Sequence, residues 1–460
     1  MRKYFGTDGI RRIANSELTP ELVYKVAKAG AYVLAKHTDH VPTIFIGRDT
    51  RISGTLIEAA MTAGFLSYGA NVKYLGVIPT PGVAYLTKRY EADASVVISA
   101  SHNTYEFNGI KYFSNKGMKI PDSLEDEIEE VMESGILDKL TAVGDKVGIA
   151  ENREDLSEEY IFFFRKKFEE DFEKLDKSNF KVAIDTANGA TSVLAEQIFS
   201  KLGINHEIIN NKPNGININD NCGSTHMESL KEYVIKNKCD LGIAYDGDGD
   251  RCLAIDEKGE LVDGDKIMAV FANYFKENNM LKKDTLVATV MSNIGMKKFT
   301  KENNINFITT KVGDRYVLEE MLENGYNLGG EQSGHIIMLD YNPTGDGILT
   351  SLMLIKIILE KSLPISKLCD IIQIYPQILI NAKVDNNKEF YLKDAEIQNE
   401  IQKLEKEFAD NGRVLIRPSG TEPLIRVMIE GKDLDYITTK AKALAYLIER
   451  KGGKTNGTNS

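Results

Sequence analysis

The stretch TIFIGRDTRISGTLIEAAMTAGFLSYGANVKYL, residues 43–75, carries the pattern on which the fold prediction depends. A short β-rich run ends in a polar loop at residues 48–53. The segment from about Gly54 to Tyr68 predicts a helix that Gly69 closes, and a second β-rich run follows at residues 72–75. A strand, a helix of this length and another strand together predict a βαβ unit.

The same order of elements recurs twice farther along the chain. Residues 181–209 and 285–310 each contain a β-rich run, a loop with Asn, a helix-like segment and another β-rich run. Past Leu363 the order changes to β-α-β-β-α, which is typical of a mainly antiparallel α+β module. The sequence therefore predicts three related α/β domains followed by a separate α+β module.

Composition and charge exclude several classes of function. Hydrophobic residues make up 42% of the chain and charged residues 27%, as in an ordinary soluble globular protein. The net charge is −11 and no long block of Lys and Arg occurs, which disfavours nucleic-acid binding. The four cysteines form no Cys-x-x-Cys pair, and no apolar run reaches the roughly 18 residues of a membrane span. The N-terminus lacks the apolar core of a signal peptide, so we expect a cytoplasmic protein.

Three aspartates at alternate positions, Asp246, Asp248 and Asp250, are separated by single glycines and follow an apolar run. Carboxylates this close repel one another unless a cation lies among them, and the glycines let the backbone bring them together. Oxygen ligands without His or Cys favour Mg²⁺ or Mn²⁺. A calcium EF-hand is an alternative, because Glu257 stands at its twelfth position. Against it, Arg251 replaces the glycine of the turn and the flanks predict strands.

Ser101 follows a β-rich run at residues 94–98 and precedes His102 and Asn103. Open α/β sheets present reactive groups at the carboxyl ends of their parallel strands, which makes Ser101 a candidate nucleophile. A serine–histidine pair is a weak signal alone, and an ordinary polar loop is equally compatible with it. Since the chain has no Gly-x-Ser-x-Gly elbow, a serine hydrolase is a poor fit, and we interpret His102 as a neighbouring hydrogen-bond donor.

Two further loops have compositions that suit a sugar phosphate. Residues 417–423 and Arg426 combine guanidinium groups with hydroxyls and a glycine, a set that binds phosphate. Residues 330–335 place a carboxylate and a hydroxyl two positions apart between glycines, which suits sugar hydroxyls. For each segment alone, a polar turn is the alternative. No Gly-x4-Gly-Lys-Ser/Thr sequence occurs, which disfavours a Walker-type kinase.

In their order along the chain, the Ser101 loop, the aspartates and the two polar loops strongly resemble the α-D-phosphohexomutase superfamily. The segments YFGTDGIR (4–11), KVGDRYV (311–317) and EQSGH (331–335) are similar to those of bacterial members that act on glucosamine phosphates. The resemblance extends from Lys3 to about Lys451. It implies an α/β fold in which three related α/β domains with mixed sheets and a smaller C-terminal α+β domain are arranged around a central cleft.

The resemblance also implies a role for each motif residue. Ser101 is expected to be phosphorylated and, with Asp246, Asp248 and Asp250, to hold one Mg²⁺ per chain. The other implied catalytic groups are Lys111 as acid/base, His102, Arg11 and Arg251. The implied substrate-binding residues are Glu331, Ser333 and His335 for the sugar, and Arg417, Ser419, Gly420, Thr421 and Arg426 for the non-reacting phosphate.

The predicted domain boundaries follow from these assignments. They are a phosphoserine domain at 1–150, a metal-binding domain at 151–253, a sugar-binding domain at 254–366 and a phosphate-binding C-terminal domain at 367–451. The Gly/Asn/Ser/Thr-rich segment 452–460 predicts a disordered tail. The acidic helix-like stretch 122–134, with the residues to about Asp155, is expected to join the first domain to the second.

The function implied by the resemblance is a mutase that interconverts glucosamine 6-phosphate and glucosamine 1-phosphate. A hexosamine 1,6-bisphosphate would serve as intermediate and activator, and the reaction would belong to amino-sugar and cell-wall precursor synthesis. The alternatives are the same chemistry on mannose or glucose phosphates and, from another class, a calcium-binding module. We expect a sugar phosphate as ligand, no nucleic-acid or membrane partner, and leave a homodimer open.

Three positions depart from the pattern of the superfamily. Thr104 replaces the proline that usually follows Ser-His-Asn, so the loop after Ser101 is expected to be less stiff. Phe107 stands where an acidic residue is usual, which affects the surroundings of Lys111. Arg12 replaces a glycine after Gly-Ile-Arg, which alters the backbone requirement there.

Overall fold

The computed structural model describes residues 3–6, 8–36, 38–385, 387–419 and 423–455, with side chains as far as Lys451. This part of the chain forms two compact units. The first comprises Met1–Met291 and Asn304–Ile371, and the second comprises Ser292–Asn303 and Ile372–Ser460. Three of the sheets lie in the first unit and one in the second.

The first sheet of the first unit has six strands and is accompanied by four helices. The strands are β1 (Ile10–Ile13), β2 (Thr43–Arg48), β3 (Asn71–Val77), β4 (Ala94–Ile98), β5 (Phe107–Ser114) and β6 (Ala150–Asn152). The helices are α1 (Pro20–Ala35), α2 (Gly54–Tyr68), α3 (Thr80–Arg89) and α4 (Asp122–Glu133). The strand order is β1-β5-β4-β2-β3-β6. Strands β2, β3, β4 and β6 are parallel, whereas β5 is antiparallel to β4 and to β1.

The second sheet repeats this arrangement with five strands. Its elements are α5 (Ser157–Lys174), β7 (Val182–Asp185), α6 (Ala195–Lys201), β8 (His206–Ile209), α7 (Glu228–Asn237), β9 (Leu241–Tyr245), β10 (Cys252–Asp256) and β11 (Leu261–Val262). The strand order is β11-β10-β9-β7-β8. Strands β7, β8 and β9 are parallel, and β10 is antiparallel to β9.

The third sheet has four strands. The elements of this region are α8 (Gly264–Glu277), β12 (Thr285–Thr289), α9 (Ile294–Glu302), β13 (Asn306–Thr310), α10 (Asp314–Asn324), β14 (Leu328–Gly330), β15 (Ile336–Met338), α11 (Gly347–Lys361) and α12 (Ile365–Leu368). The order is β13-β12-β14-β15, with only β15 antiparallel. Three mixed sheets of related topology are therefore present, as the sequence predicted.

The second unit contains a three-stranded antiparallel sheet. Its elements are β16 (Gln377–Lys383), α13 (Lys388–Lys393), α14 (Ala395–Phe408), β17 (Gly412–Pro418), β18 (Leu424–Gly431) and α15 (Leu434–Thr455). The strand order is β16-β18-β17, and both pairings are antiparallel. This is the predicted α+β module. Helix α9, which lies between β12 and β13 in sequence, belongs to this unit.

Local chemistry explains why the stretch at residues 43–75 forms its elements. Helix α2 runs from Gly54 to Tyr68, as predicted, and ends at Gly69. Gly69 has a φ of 104° and donates its N–H to the carbonyls of Phe65 and Leu66, which satisfies the last turn. Strand β4 beside it is buried at all five positions, as expected for a strand inside a parallel sheet.

Two boundaries differ from the sequence prediction. Helix α4 was expected within a joint between domains, but it packs on α1 and contributes Ile128, Val131 and Met132 to the core of the first sheet. The reason is that these three apolar residues recur at helical spacing and form a buried face, although most other residues of the helix are acidic. Helix α15 extends to Thr455, four residues into the segment predicted as disordered. Residues 456–460 of that predicted tail lie outside the described residues.

Membrane-spanning helices and disulfides would each be visible in the described residues. In that part of the chain, no helix is both long and apolar enough to cross a membrane. All four cysteines are buried, and each is a free thiol. A disulfide framework therefore makes no contribution to the stability of the cores.

A buried carboxyl, Asp346, ties α11 to its neighbours in the first unit. It accepts hydrogen bonds from Leu349 N (3.0 Å), Tyr160 Oη on α5 (2.8 Å) and Asn342 Nδ2 (3.0 Å). The same Asn342 amide also donates to the Pro81 carbonyl beside α3 (3.3 Å). Burial raises the pKa of Asp346 to about 6 despite these bonds.

This shift predicts a pH-dependent stability difference between the protein and its Asp346→Asn variant. Since the pKa in the fold exceeds the unfolded value of about 3.9, protonation stabilises the fold at low pH, and that contribution is lost as pH rises through 6. Between about pH 4 and pH 8, the free energy of unfolding of the variant should therefore rise by up to about 3 kcal/mol relative to that of the native chain. Melting temperatures of both proteins across this range measure the effect. Asp145→Asn, at an exposed carboxyl, is the control, and a difference that does not vary with pH would contradict the assignment.

Candidate active site

Ser101 lies in the connection between β4 and β5, at the carboxyl end of a buried parallel strand. Its side chain is 1% exposed, and its backbone has a φ of 52°, which is uncommon for a residue other than glycine. The Ser101 hydroxyl donates to Asp246 Oδ2 at 2.7 Å. The nearer partner of this oxygen is thus a carboxylate, since His102 Nδ1 is 3.4 Å away.

The three aspartates lie in the equivalent connection of the second sheet, between β9 and β10. Asp246, Asp248 and Asp250 are buried, and one oxygen of each lies within 4.8 Å of the others. The flanking elements are paired antiparallel strands, so the helix–loop–helix of an EF-hand is absent from this segment. Glu257 hydrogen-bonds to Ser366 instead of turning toward the aspartates. The calcium alternative is therefore wrong at this site.

Glycine is required where these two connections meet. A Cβ on Gly247 would lie 2.6 Å from the carbonyl oxygen of Ser101, closer than such contacts allow. The backbone of the aspartate loop can therefore approach the serine loop only because position 247 has no side chain. This contact brings the candidate nucleophile and the carboxylates together.

The aspartate cluster has the properties of a site for a hard divalent cation. Burial and the neighbouring Asp250 and Asp248 raise the pKa of Asp246 well above its usual range. The Oδ1 atoms of Asp248 and Asp250 are buried and have no hydrogen-bond partner among the described residues. Three buried carboxylates, each with an oxygen within 4.8 Å of the others, are the donor set that Mg²⁺ and Mn²⁺ prefer, so the residues fit such an ion.

Lys111 provides a positive charge beside the cluster. It lies on β5, in register with Val97 of β4, and its Nζ is 2.9 Å from Asp248 Oδ2 and 3.3 Å from Asp8 Oδ2. Burial opposes the charge, but the carboxylates of Asp248, Asp8 and Asp250 outweigh it and raise the pKa of Lys111 above its ordinary value. Lys111 is therefore protonated at neutral pH and supplies positive charge to the cluster.

His102, Arg11 and Arg251 lie next to one another at the Ser101 loop. Arg251 Nη1 donates to His102 Nδ1 at 3.2 Å, and Arg11 Nη1 donates to Asn103 Oδ1 at 2.9 Å. Burial and then the charges of Arg251 and Arg11 lower the pKa of His102 to about 4. His102 is thus neutral at pH 7 and accepts a hydrogen bond at Nδ1, which leaves Nε2–H as its donor.

A hairpin of the third sheet carries Glu331, Ser333 and His335 between β14 and β15. Gly334 has a φ of 92°, and a Cβ there would lie 2.4 Å from the Cys252 carbonyl, so the hairpin contacts the start of β10 directly. Glu331 Oε1 accepts the Gly313 N–H at 3.2 Å, and burial together with Asp314 raises the pKa of Glu331. Ser333 is exposed at the turn. Glu331 and Ser333 thus lie on the same side of the unit as the aspartates.

His335, which was predicted to bind substrate, lies beside the aspartate cluster. It is 3% exposed, with Nδ1 3.5 Å from Asp250 Oδ2 and Nε2 3.4 Å from Asp314 Oδ2. Its Nε2 also accepts the Gly345 N–H at 3.1 Å. It therefore lies beside the Asp250 carboxylate and also lines a cavity with Lys119 and Asp314, and its contact with a sugar stays a prediction.

The phosphate-binding residues predicted near the C-terminus lie in the second unit. Arg417 on β17 and Arg426 on β18 are directly paired across the sheet. Burial and the charge of Arg426 lower the pKa of Arg417, and no carboxylate of the described residues pairs with either guanidinium. Lys388 adds a third cation and donates to the Ser419 carbonyl at 2.6 Å. This cluster of positive charge suits an anion. The predicted residues Gly420 and Thr421 lie outside the described residues.

Several residues of the site were not found from the sequence. Asp8 and Asp314 occurred only inside motifs used for the resemblance, and Lys119 Nζ joins them at 2.5 Å and 2.6 Å. Arg51 and Asn219 hold the backbone of the Ser101 loop. The sequence did contain one signal for Arg51: it lies in the loop after β2, and β2 is next to β4, the strand that precedes Ser101.

Comparison with protein families covers most of the chain. Four models described as phosphoglucomutase/phosphomannomutase domains match: alpha/beta/alpha domain I at residues 2–138, domain II at 158–259, domain III at 263–375 and the C-terminal domain at 379–445. The chain is similar to the phosphoglucosamine mutase of Clostridium acetobutylicum, with 55% identity over 98% of this chain and 100% of the relative. It is also similar to that of Ruminiclostridium cellulolyticum, with 53% identity over 98% and 99%.

Solved structures share the fold at lower identity. A phosphoglucomutase/phosphomannomutase family protein from Burkholderia thailandensis matches with a TM-score of 0.78 and 21% identity over 97% of each chain. An N-acetylphosphoglucosamine mutase from Aspergillus fumigatus, in complex with GlcNAc-6P and magnesium, matches with a TM-score of 0.65 and 16% identity over 98% of this chain and 96% of that one.

The aspartate cluster predicts stabilisation by a divalent cation. A ligand that binds only the folded state at about 100 times its dissociation constant adds about 2.7 kcal/mol of stability. Millimolar Mg²⁺ should therefore raise the melting temperature of the native chain, measured by scanning calorimetry. Asp248→Asn should lose most of this increase, whereas the exposed-site variant Asp145→Asn should keep it. An equal response of all three proteins would show that Mg²⁺ does not bind at the aspartates.

Proposed function

The chain belongs to the phosphoglucosamine mutase family, and we propose that it interconverts glucosamine 6-phosphate and glucosamine 1-phosphate through a phosphorylated Ser101. The main support is the buried Ser101 hydroxyl, held 2.7 Å from a carboxylate of the aspartate cluster. Relatives that carry this activity in their names are 52–55% identical over nearly the whole chain.

Magnesium is the cofactor that we propose for the aspartate cluster. Asp246, Asp248 and Asp250, with an oxygen of the Ser101 phosphate, would hold one ion per chain. When bound, the ion supplies positive charge that neutralises the phosphoryl group during transfer. The unpartnered Oδ1 atoms of Asp248 and Asp250 support this assignment.

The first transfer exchanges one phosphate ester for another. A hydroxyl of the sugar phosphate attacks phosphorus, the bond from phosphorus to Ser101 Oγ breaks, and the hydroxyl proton is balanced by a proton gained at Ser101 Oγ. Lys111 is the group that we assign to this exchange: it gives a proton to Ser101 Oγ and regains one from the attacking hydroxyl, so it is unchanged overall. Its raised pKa keeps it charged before the transfer, beside the same carboxylates. Arg251 and Arg11 add positive charge beside the transferring group.

The product of that step is a hexosamine 1,6-bisphosphate, whose other phosphate returns to Ser101 in the reverse reaction. Glu331 and Ser333 would hold the sugar hydroxyls, since a half-buried carboxylate and an exposed hydroxyl lie at the same hairpin turn. Arg417, Ser419 and Arg426 would bind the phosphate that is not being transferred, with Gly420 and Thr421 assigned by resemblance only. This loop must accept either end of the bisphosphate.

Phosphomannomutase or phosphoglucomutase activity is the second candidate, favoured by the descriptions of the four family models. A coupled assay that offers glucosamine, mannose and glucose phosphates separately tests the choice. The amino sugar should give the highest kcat/KM. Equal values for the three sugars would contradict specificity for glucosamine.

We also propose a homodimer for the assembled enzyme. Val143, Val147 and Ile149 are 75%, 46% and 68% exposed, and they precede the exposed edge strand β6. An apolar surface beside an open sheet edge is a common contact between copies. Sedimentation of the purified protein should give a dimer that Val143→Asp with Ile149→Asp converts to monomers. A monomeric native chain would contradict this proposal.

The compartment and pathway follow from the charge of the ligands. Sugar phosphates are ionised and do not cross a bilayer unaided, so substrate and product stay in the compartment that makes them. We accordingly propose a cytoplasmic enzyme that supplies amino-sugar precursors of the cell wall. Cell fractionation with an assay for the mutase measures this, and activity outside the cytoplasmic fraction would contradict it.

The proposed role of Ser101 is tested by a variant that removes its hydroxyl. Ser101→Ala removes the acceptor oxygen, so mutase activity should fall to background because no phosphoenzyme can form. Incubation with the bisphosphate should add one phosphate to the native chain, seen by intact-mass measurement, and none to the variant. Ser200→Ala, at an exposed serine on α6, should still take up phosphate. Full activity of Ser101→Ala at saturating Mg²⁺ would rule out the phosphoserine route.

A further inference from the structure

We propose that Arg51 is a positioning residue that holds the Ser101 loop in the geometry needed for phosphoryl transfer. The inference depends on the proposed function, because it assumes that Ser101 carries the phosphoryl group. Arg51 itself touches no reacting atom. It acts only on the backbone that presents Ser101.

The hydrogen bonds of Arg51 use every donor of its side chain. Nε pairs with Asp49 Oδ2 at 2.8 Å. Nη2 donates to the carbonyls of Ser101 at 3.1 Å and Asn103 at 2.8 Å. Nη1 donates to the carbonyls of Phe107, at 3.1 Å, and Thr104. A guanidinium has five N–H groups, so a single fully buried side chain gathers four carbonyls of one loop.

The amide side of Ser101 is tied to the same ion pair. The Ser101 N–H donates to Ser99 Oγ at 2.9 Å, and Ser99 Oγ donates to Asp49 Oδ2 at 2.6 Å. Asp49 Oδ2 is the atom that Arg51 Nε contacts. The two backbone polar groups of Ser101 are therefore fixed by one Asp49–Arg51 pair.

A strained backbone explains why the loop needs this restraint. The positive φ of Ser101 is a strained conformation for a residue with a side chain, and it persists only where surrounding contacts enforce it. Asn219, from the second sheet, gives further support: its Nδ2 donates to the carbonyls of Ser101 and Asn103, both at 2.8 Å. Two buried side chains thus converge on the same two carbonyls.

Positioning of this kind affects the rate of transfer more than the binding of substrate. A misplacement of about 1 Å at the reacting atom can cost about 100-fold in rate. Arg51 is fully buried and has no surface for a ligand, so substrate affinity should be nearly unchanged. Lysine cannot replace it, because an ammonium has three donors and no planar fork with which to reach four carbonyls.

The test compares Arg51→Lys and Arg51→Met with Arg48→Lys, a matched control in which a half-buried arginine pairs with Glu58 outside the site. Both Arg51 variants should lose about 100-fold in kcat while KM changes by less than about threefold. Guanidinium ion added to Arg51→Ala should raise the kcat of this variant at least tenfold, a response that a general loss of stability would not give. The control should stay within about threefold of the native kcat.

Hydrogen exchange provides a readout that does not require turnover. Amides of residues 99–109 should exchange faster in Arg51→Lys than in the native chain, whereas those of α11 should be unchanged. If the native chain turns over none of the three sugar phosphates, the proposed function fails, and the exchange measurement still tests Arg51. If the Arg51 variants do not fold, both measurements are made on Asn219→Ala, in which kcat should fall and exchange at residues 99–109 should be faster. A kcat within threefold of the native value, or unchanged exchange at 99–109, overturns the proposal.

Discussion

Three carboxylates, those of Asp246, Asp248 and Asp250, are buried within 4.8 Å of one another, and this crowding of negative charge constrains everything around it. Buried charges without compensation are too costly to persist, so each must have a cation, a donor or a proton. Lys111 contacts Asp248, and the Ser101 hydroxyl contacts Asp246. Even so, the Oδ1 atoms of Asp248 and Asp250 have no hydrogen-bond partner among the described residues. The compensation is incomplete without an added positive charge, and this is why the cluster is interpreted as a metal site.

The cluster can be built because three related sheets present their loops in equivalent places. The Ser101 loop joins β4 to β5, the aspartate loop joins β9 to β10, and the Glu331 hairpin joins β14 to β15. In each case, the last parallel strand is connected to an antiparallel neighbour at its carboxyl end. A repeated topology therefore places the candidate nucleophile, the candidate metal ligands and the proposed sugar-binding groups on loops of the same kind. Glycines at positions 247 and 334 then allow those loops to approach at backbone distance.

The sequence predicts these loops well because each is local. The βαβ pattern of residues 43–75 gave the correct strand and helix, and a serine or aspartate after a buried strand marks the carboxyl edge of a sheet. What escaped prediction depends on distant contacts. The position of His335 beside Asp250 depends on Gly345 and Asp314, which contact its Nε2. The apolar residues of α4 become part of a core only because α1 packs against them. The same holds for Lys119, whose two partners are 111 and 195 residues away in the chain.

The stiffness of the Ser101 loop is the clearest example of a property that the local sequence predicts poorly. Thr104 stands where a proline would restrict the backbone, and this substitution alone suggests a looser loop. Yet the carbonyls of Thr104 and Phe107 are both held by Arg51, which lies more than 50 residues earlier in the chain. A restraint from a neighbouring strand end therefore takes the place of one inside the loop. Since the guanidinium binds carbonyl oxygens and not side chains, it tolerates changes of residue type at both positions, and the two departures leave the presentation of Ser101 intact.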